Sequence, residues 1–172
     1  MQYTAHYESP LGGLLLAADD VGLTGLWFDG EKYYALHLAR EHEMRQTAVH
    51  EQTAAWLDVY FSGREPDFMP PLHLIGTPFQ QEVWALLRQI PYGKTTTYGA
   101  LAKTLAAQRG LERMSAQAVG GAVGHNEISI LVPCHRVVGT GGSLTGYAGG
   151  VDKKKALLEL EGVSMEGLFV PK

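Results

Sequence analysis

The chain has 172 residues, 45% hydrophobic and 19% charged, with one cysteine and a formal net charge of −4, which suits one or two small globular domains. A single thiol excludes an internal disulfide and leaves too few soft ligands for a cysteine-built zinc or iron–sulfur site. No apolar run approaches the ~20 residues that span a bilayer, and the opening Met1-Gln2-Tyr3-Thr4-Ala5-His6 lacks a secretory pattern, so a cytoplasmic protein without membrane contact is expected.

In chain order, residues 3–7 alternate and end at the turn Ser9-Pro10-Leu11-Gly12-Gly13. Residues 14–18 and 23–28 read as further strands, separated by Asp19-Asp20-Val21-Gly22. Three short strands joined by tight Gly/Asp turns predict an antiparallel meander. Residues 32–43, with Tyr33, Leu36, Leu38 and Ala39, are expected to be helical. So are residues 48–61, with Ala54, Leu57 and Phe61 near helical spacing and Gly63 as the stop. The Pro-rich stretch 64–71 reads as extended. A boundary just after it gives an N-terminal α/β domain over 1–75 and a C-terminal domain over 76–172.

The second half is richer in helix signals. Thr77 is a good N-cap and Pro78 suits the first helical position. Phe79, Val83, Leu86 and Leu87 form one apolar face, and Pro91-Tyr92-Gly93 ends that helix. Thr97 starts another, with Leu101, Ala102 and Leu105 inward; Ser115 caps a third over 116–123. The third contains Gly120-Gly121. Each costs about 1 kcal/mol against alanine, a cost usually recovered where a second backbone approaches closely. Two short helices joined by a brief loop suit a helix-turn-helix, or simply two packed helices. The final helix, 153–160, begins with three lysines.

Charge divides with the domains. Residues 1–75 hold four Lys/Arg against eleven Asp/Glu, and residues 76–172 hold ten against seven. A polyanion could dock on the second half only, although a balance of +3 is also unremarkable for such a domain. The glycine-rich loop 139–150 has neither the GxxxxGK[ST] pattern nor the strand-Gly-helix order of a P-loop. A loop that closes over a flat ligand fits better.

Cys134 lies in Pro133-Cys134-His135-Arg136, after the apolar run 128–132. A thiol beside a histidine and an arginine suits a nucleophile, because the thiolate is the reactive form and positive charge or a base favours it. Taken alone, a buried structural cysteine fits equally well.

The ordered elements Thr77-Pro78-Phe79-Gln80-Gln81-Glu82-Val83-Trp84, Ile90-Pro91-Tyr92-Gly93-Lys94, Thr97-Tyr98-Gly99-Ala100-Leu101-Ala102, Ala118-Val119-Gly120-Gly121-Ala122, Asn126, Pro133-Cys134-His135-Arg136-Val137, Gly146-Tyr147-Ala148-Gly149-Gly150 and Leu160-Glu161-Gly162 span about half the chain. In them the sequence closely resembles the O6-alkylguanine-DNA alkyltransferases. The first half resembles that family only in general pattern. The resemblance implies an α+β protein: a small three-stranded antiparallel α/β domain, then a mainly helical domain with a winged-helix-like helix-turn-helix. It implies repair of duplex DNA containing O6-alkylguanine, and O4-alkylthymine, by single-use alkyl transfer to Cys134 without a cofactor. Some relatives bind zinc through N-terminal cysteines, which this chain lacks, so no metal is expected. A monomer is expected because no large apolar stripe is left over once both cores are filled. His135 would act as base through a bridging water, Glu161 would orient it, Tyr98 would serve the departing guanine, and Asn126 would hold the Cys–His turn.

The same resemblance implies that Pro133, Val137, Tyr147, Ala148 and Gly149 line the base pocket, with room for groups larger than methyl. Thr97, Gln117, Ala118, Gly120 and Gly121 would meet DNA. Arg136 would pair with an acid of the adjacent domain. One departure concerns position 117, where relatives usually carry an arginine that fills the gap left by the flipped base. Here it is Gln117, and Arg109 or Arg113 is the candidate substitute. Two other readings remain beside alkyl transfer: a module that recognises alkylated bases without reacting, whose relatives replace the acceptor cysteine, and a transcriptional regulator using the same helix pair.

Overall fold

A computed structural model describes residues 1–31, 34–35 and 38–171. The chain forms two compact units: Met1–Ile75 with Glu127–Leu131, and Gly76–Asn126 with Val132–Lys172.

In the first unit, β1 (Gln2–Ser9), β2 (Gly12–Ala18) and β3 (Leu23–Phe28) form the expected antiparallel meander. A fourth strand, β4 (His42–Met44), pairs parallel with β1, giving the order β3-β2-β1-β4. It corrects the end of the helix expected over 32–43; Lys32, Tyr33, Leu36 and His37 of that stretch lie outside the described residues. Leu15, Ala17 and Trp27 form a cluster on one sheet face, with Ala35 and Leu38 packed against it. The period of two sends Leu14, Leu16 and Leu26 to the opposite face, and all three are buried. Helix α1 (Ala48–Phe61) packs on β1, β2 and β3, burying His50, Thr53, Trp56, Leu57 and Tyr60. The free edge of β3 is covered. Leu23 exchanges backbone hydrogen bonds with Pro71 and His73, and Leu26 with Glu127 and Ser129, so that little of the edge is left for another chain.

In the second unit, α2 (Pro78–Leu87), α3 (Tyr98–Gln108) and α4 (Ala116–Gly124) pack on one another around Val83, Trp84, Leu87, Leu105 and Val119. Each begins at the cap read from sequence: Thr77, Thr97 and Ser115 side chains accept from the N–H groups of Gln80, Ala100 and Ala118. The Trp84 indole donates to the Ala122 carbonyl at 2.9 Å, joining α2 to α4. Two-residue strands β5 (Thr96–Thr97) and β6 (Val137–Val138) pair in parallel. β5 leads directly into Tyr98, and β6 directly follows the single 3-10 turn Cys134–Arg136. This short ladder therefore brings the first turn of α3 beside the cysteine. Helix α5 (Val151–Leu160) closes the unit, with Leu158 packed on Val138 and Leu144.

Candidate active site

Every group considered for the chemistry lies in the second unit. Cys134 is 6% exposed and opens the 3-10 turn, whose tightness comes from Cys134 N–H donating to Val132 O at 2.8 Å and Arg136 N–H to Pro133 O at 3.0 Å. Asn126 follows the C-terminus of α4. Its amide donates to Val132 O at 2.8 Å and to the Cys134 sulfur at 3.3 Å. One side chain thus holds the approach to the turn and offers a donor to the sulfur, which favours negative charge there.

His135 is fully buried and its Nε2 meets Glu161 Oε2 at 2.5 Å. Burial lowers the imidazole pKa; Glu161 pulls it up, while Arg136 and Lys154 push it down, and the net direction is downward. The ring is therefore neutral at neutral pH and donates Nε2–H to the carboxylate. That leaves Nδ1 with the lone pair, so that it is the ring's proton-accepting nitrogen. Tyr147, itself buried, packs edge-on against this ring at 6.4 Å.

Glu161 caps the C-terminus of α5. Its carboxylate accepts from His135, from Arg136 Nε (2.8 Å) and Nη2 (3.2 Å), and from the Gly93 N–H (3.0 Å). Burial alone would raise its pKa, but the hydrogen bonds from His135 and Arg136, with the Arg136 charge, outweigh that and bring it to about 2. Gly93 has φ +77°, and a Cβ there would sit 3.2 Å from the Glu161 carbonyl. Arg136 also donates to Ile90 O at 2.8 Å and lies over the Tyr92 ring. Its acid is thus Glu161 of the same unit, which corrects the expected partner in the adjacent domain.

The Tyr98 hydroxyl donates to the Thr145 carbonyl of the glycine-rich loop at 3.2 Å. Burial, then the charge of Cys134, raises this phenol's pKa to about 12, so it keeps its proton at neutral pH. An open cavity of about 470 Å³ is lined by Tyr98, Gly99, Ala116, Gln117, Gly120, Thr140, Thr145 and Gly146. It brings Tyr98, Gln117 and Gly120 together. Pro133, Val137 and Tyr147 are buried outside its lining, and Ala148 and Gly149 are half-buried outside it. Thr97 spends its hydroxyl on capping α3. Gln117, Ala118 and Gly121 are exposed along α4. Thr140 and Thr145 escaped the sequence reading because a glycine-rich loop has no period that assigns sides. Arg109, exposed at the end of α3, is paired with Glu82 and lies over Phe79. Arg113 is exposed. Among the described residues, no group of three His, Cys, Asp or Glu is placed to hold a metal ion, and no helix is long and apolar enough to cross a membrane.

Comparison with known proteins agrees over both units. The family model described as the ribonuclease-like domain of 6-O-methylguanine DNA methyltransferase matches residues 2–74, and that of its DNA binding domain matches residues 78–163. Methylated-DNA--protein-cysteine methyltransferases of Mycobacterium tuberculosis and Methanosarcina acetivorans are 43% and 41% identical. These alignments cover 91% and 93% of this chain, and 92% and 98% of the relatives. The crystal structure of Mycobacterium tuberculosis OGT in complex with DNA superposes with a TM-score of 0.79 at 42% identity, covering 92% of each chain. An O6-methylguanine DNA methyltransferase from Methanococcus jannaschii superposes at 0.62, with 27% identity and 98% of each chain covered. The α+β architecture, the ordered motifs and these matches together make the chain a member of the O6-methylguanine DNA methyltransferase family.

Proposed function

We propose that this protein repairs duplex DNA by transferring an alkyl group from O6-alkylguanine, and from O4-alkylthymine, to Cys134, once per molecule. The observation that carries this reading is the Asn126–Cys134 and His135–Glu161–Arg136 network, built around the one thiol of a chain 43% identical to methylated-DNA--protein-cysteine methyltransferases.

The damaged base leaves the stack at a cost of a few kcal/mol and enters the cavity beside Tyr98. His135 Nδ1 takes the thiol proton through a bridging water, and Glu161 holds the imidazole in the tautomer that can do so. The sulfur then attacks the alkyl carbon opposite the oxygen. The S–C bond forms as the C–O bond breaks, and the electron pair goes to the base. Tyr98, still protonated, donates to the departing base and limits its charge. The base anion takes up one proton, the equivalent of the one His135 removed from the thiol, so that the products are the normal base and S-alkyl cysteine. Nothing in this balance calls for a cofactor or metal. The exposed face of α4 supports DNA docking: a Cβ on Gly121 would meet nothing within 4 Å, so no contact inside the protein accounts for a glycine at that helical position. An acceptor thiol works only when reduced, which supports a cytoplasmic location, and a monomer suffices because the site is complete in one chain.

The test is incubation with a duplex containing O6-methylguanine, followed by digestion and mass spectrometry. The Cys134 peptide is expected to gain one methyl group. Binding of that duplex without any gain would instead make the protein a recognition module. Cys134→Ala should lose transfer and keep binding.

A further inference from the structure

Lys154 is a buried charge that the reaction scheme above leaves unused. It is 0% exposed, on the same helical stripe of α5 as Leu157 and Leu158, whereas Lys155 is exposed. Its ammonium donates to the Val137 carbonyl at 2.5 Å and to the Thr145 carbonyl at 2.7 Å, and lies 5.9 Å from the centre of the Tyr98 ring. Val137 follows the cysteine turn. Thr145 belongs to the glycine-rich loop, and its carbonyl, with two lone pairs, also accepts the Tyr98 hydroxyl. The next residue, Gly146, has φ +82°, and a Cβ there would sit 2.8 Å from that hydroxyl. Burial lowers the ammonium's pKa to about 8, against the opposing charge of Cys134. A fully buried lysine is rarely retained without such partners.

We propose that Lys154 is a positioning residue: by tying the Thr145 carbonyl to the Val137 carbonyl it fixes the glycine-rich loop against the cysteine turn and sets the Tyr98 phenol for the incoming base. The inference rests on the alkyl-transfer reading for its consequence, but the tie itself can be tested without it.

The experiment uses the full chain, wild type and Lys154→Met, which removes the ammonium at similar length. Amide hydrogen exchange at Leu144 and Gly150, whose N–H groups donate to the Phe169 and Tyr147 carbonyls on either side of Thr145, is expected to speed up by about tenfold or more, while exchange in α2 is unchanged; unchanged exchange in the loop overturns the tie. Single-turnover methyl transfer at saturating O6-methylguanine duplex is expected to fall by about tenfold or more, with duplex affinity retained. Tyr98→Phe is expected to cost less in the Lys154→Met background than in the wild type, because both groups act through the Thr145 carbonyl. Independent losses, or transfer within about twofold of the wild type, overturn the proposal. A wild type that transfers nothing defeats the alkyl-transfer reading instead, and the exchange measurement still decides the tie. If Lys154→Met fails to melt cooperatively, Lys154→Leu, which also lacks any donor, replaces it. Failure of both to fold gives Lys154 a purely structural role and overturns the proposal.

Discussion

Glu161 shows how much one carboxylate can carry. It faces two partners with opposite needs: neutral His135, which it orients, and the Arg136 guanidinium, whose charge it balances. Its pKa of about 2 lies below the ordinary 4.5. A depressed acid contributes stability that is complete above the unfolded value and is lost as pH falls through the folded one. Urea midpoints of the wild type should therefore decline between about pH 4.5 and pH 2, and Glu161→Gln should flatten that decline. At neutral pH the same variant leaves Arg136 buried without its counter-charge, a loss of about 3–5 kcal/mol that a thermal melt would register as a lower Tm. Methyl transfer should slow by about 100-fold, since the imidazole loses the partner that sets its tautomer. Transfer at the wild-type rate would mean that His135 needs no orienting group.

At the scale of elements, α4 sets stability against binding. Gly121 is exposed, and a Cβ there would meet nothing within 4 Å, so Gly121→Ala should stabilise the fold by about 0.5–1 kcal/mol through helix propensity alone. If a DNA backbone docks on this face, the added methyl group should also weaken duplex binding, by about tenfold. A raised Tm with unchanged affinity would remove α4 from the interface. The elements also show where sequence reading succeeds. Caps are local chemistry, so Thr77, Thr97 and Ser115 were legible, and so was the meander with its Gly/Asp turns. β4 was not, because its three residues, His42, Glu43 and Met44, are all exposed and their pairing is set by β1 far away in sequence. The β5–β6 ladder was hidden for the same reason: two threonines and two valines carry no period. Cys134, His135 and Glu161 were found through ordered motifs rather than from any local pattern. Lys154 sits three and four residues before Leu157 and Leu158, so its apolar face was readable, but its charge disguised it as part of a solvated lysine run.

Over the whole molecule, charge decides how strongly a duplex is held. The net charge is −4, and the positive balance is confined to residues 76–172. Part of that balance is spent inside the protein, Arg136 on Glu161 and Lys154 on two carbonyls, while exposed Arg109 and Lys155 lie against Glu82 and Glu159 at the surface. The exposed cations near the helix pair are few: Arg109, paired with Glu82, and Lys103 and Arg113, which line a cavity of about 340 Å³ beside Met114. Each phosphate neutralised contributes a slope of about −0.9 to log K against log salt. With so few available cations, the slope for undamaged duplex should be shallow, about −2 to −4. Arg113→Ala should reduce it by about one unit and weaken binding of all sequences alike, whereas Arg109→Ala should reduce it by less, because that guanidinium shares its charge with Glu82. Gln117→Arg, which adds a cation on the exposed face of α4, should raise affinity and steepen the slope if it reaches a phosphate. A higher affinity with an unchanged slope would place the new side chain within the base stack instead. Titrations at several salt concentrations separate these outcomes. A wild-type slope steeper than about −6 would show that binding recruits cations beyond this helix pair.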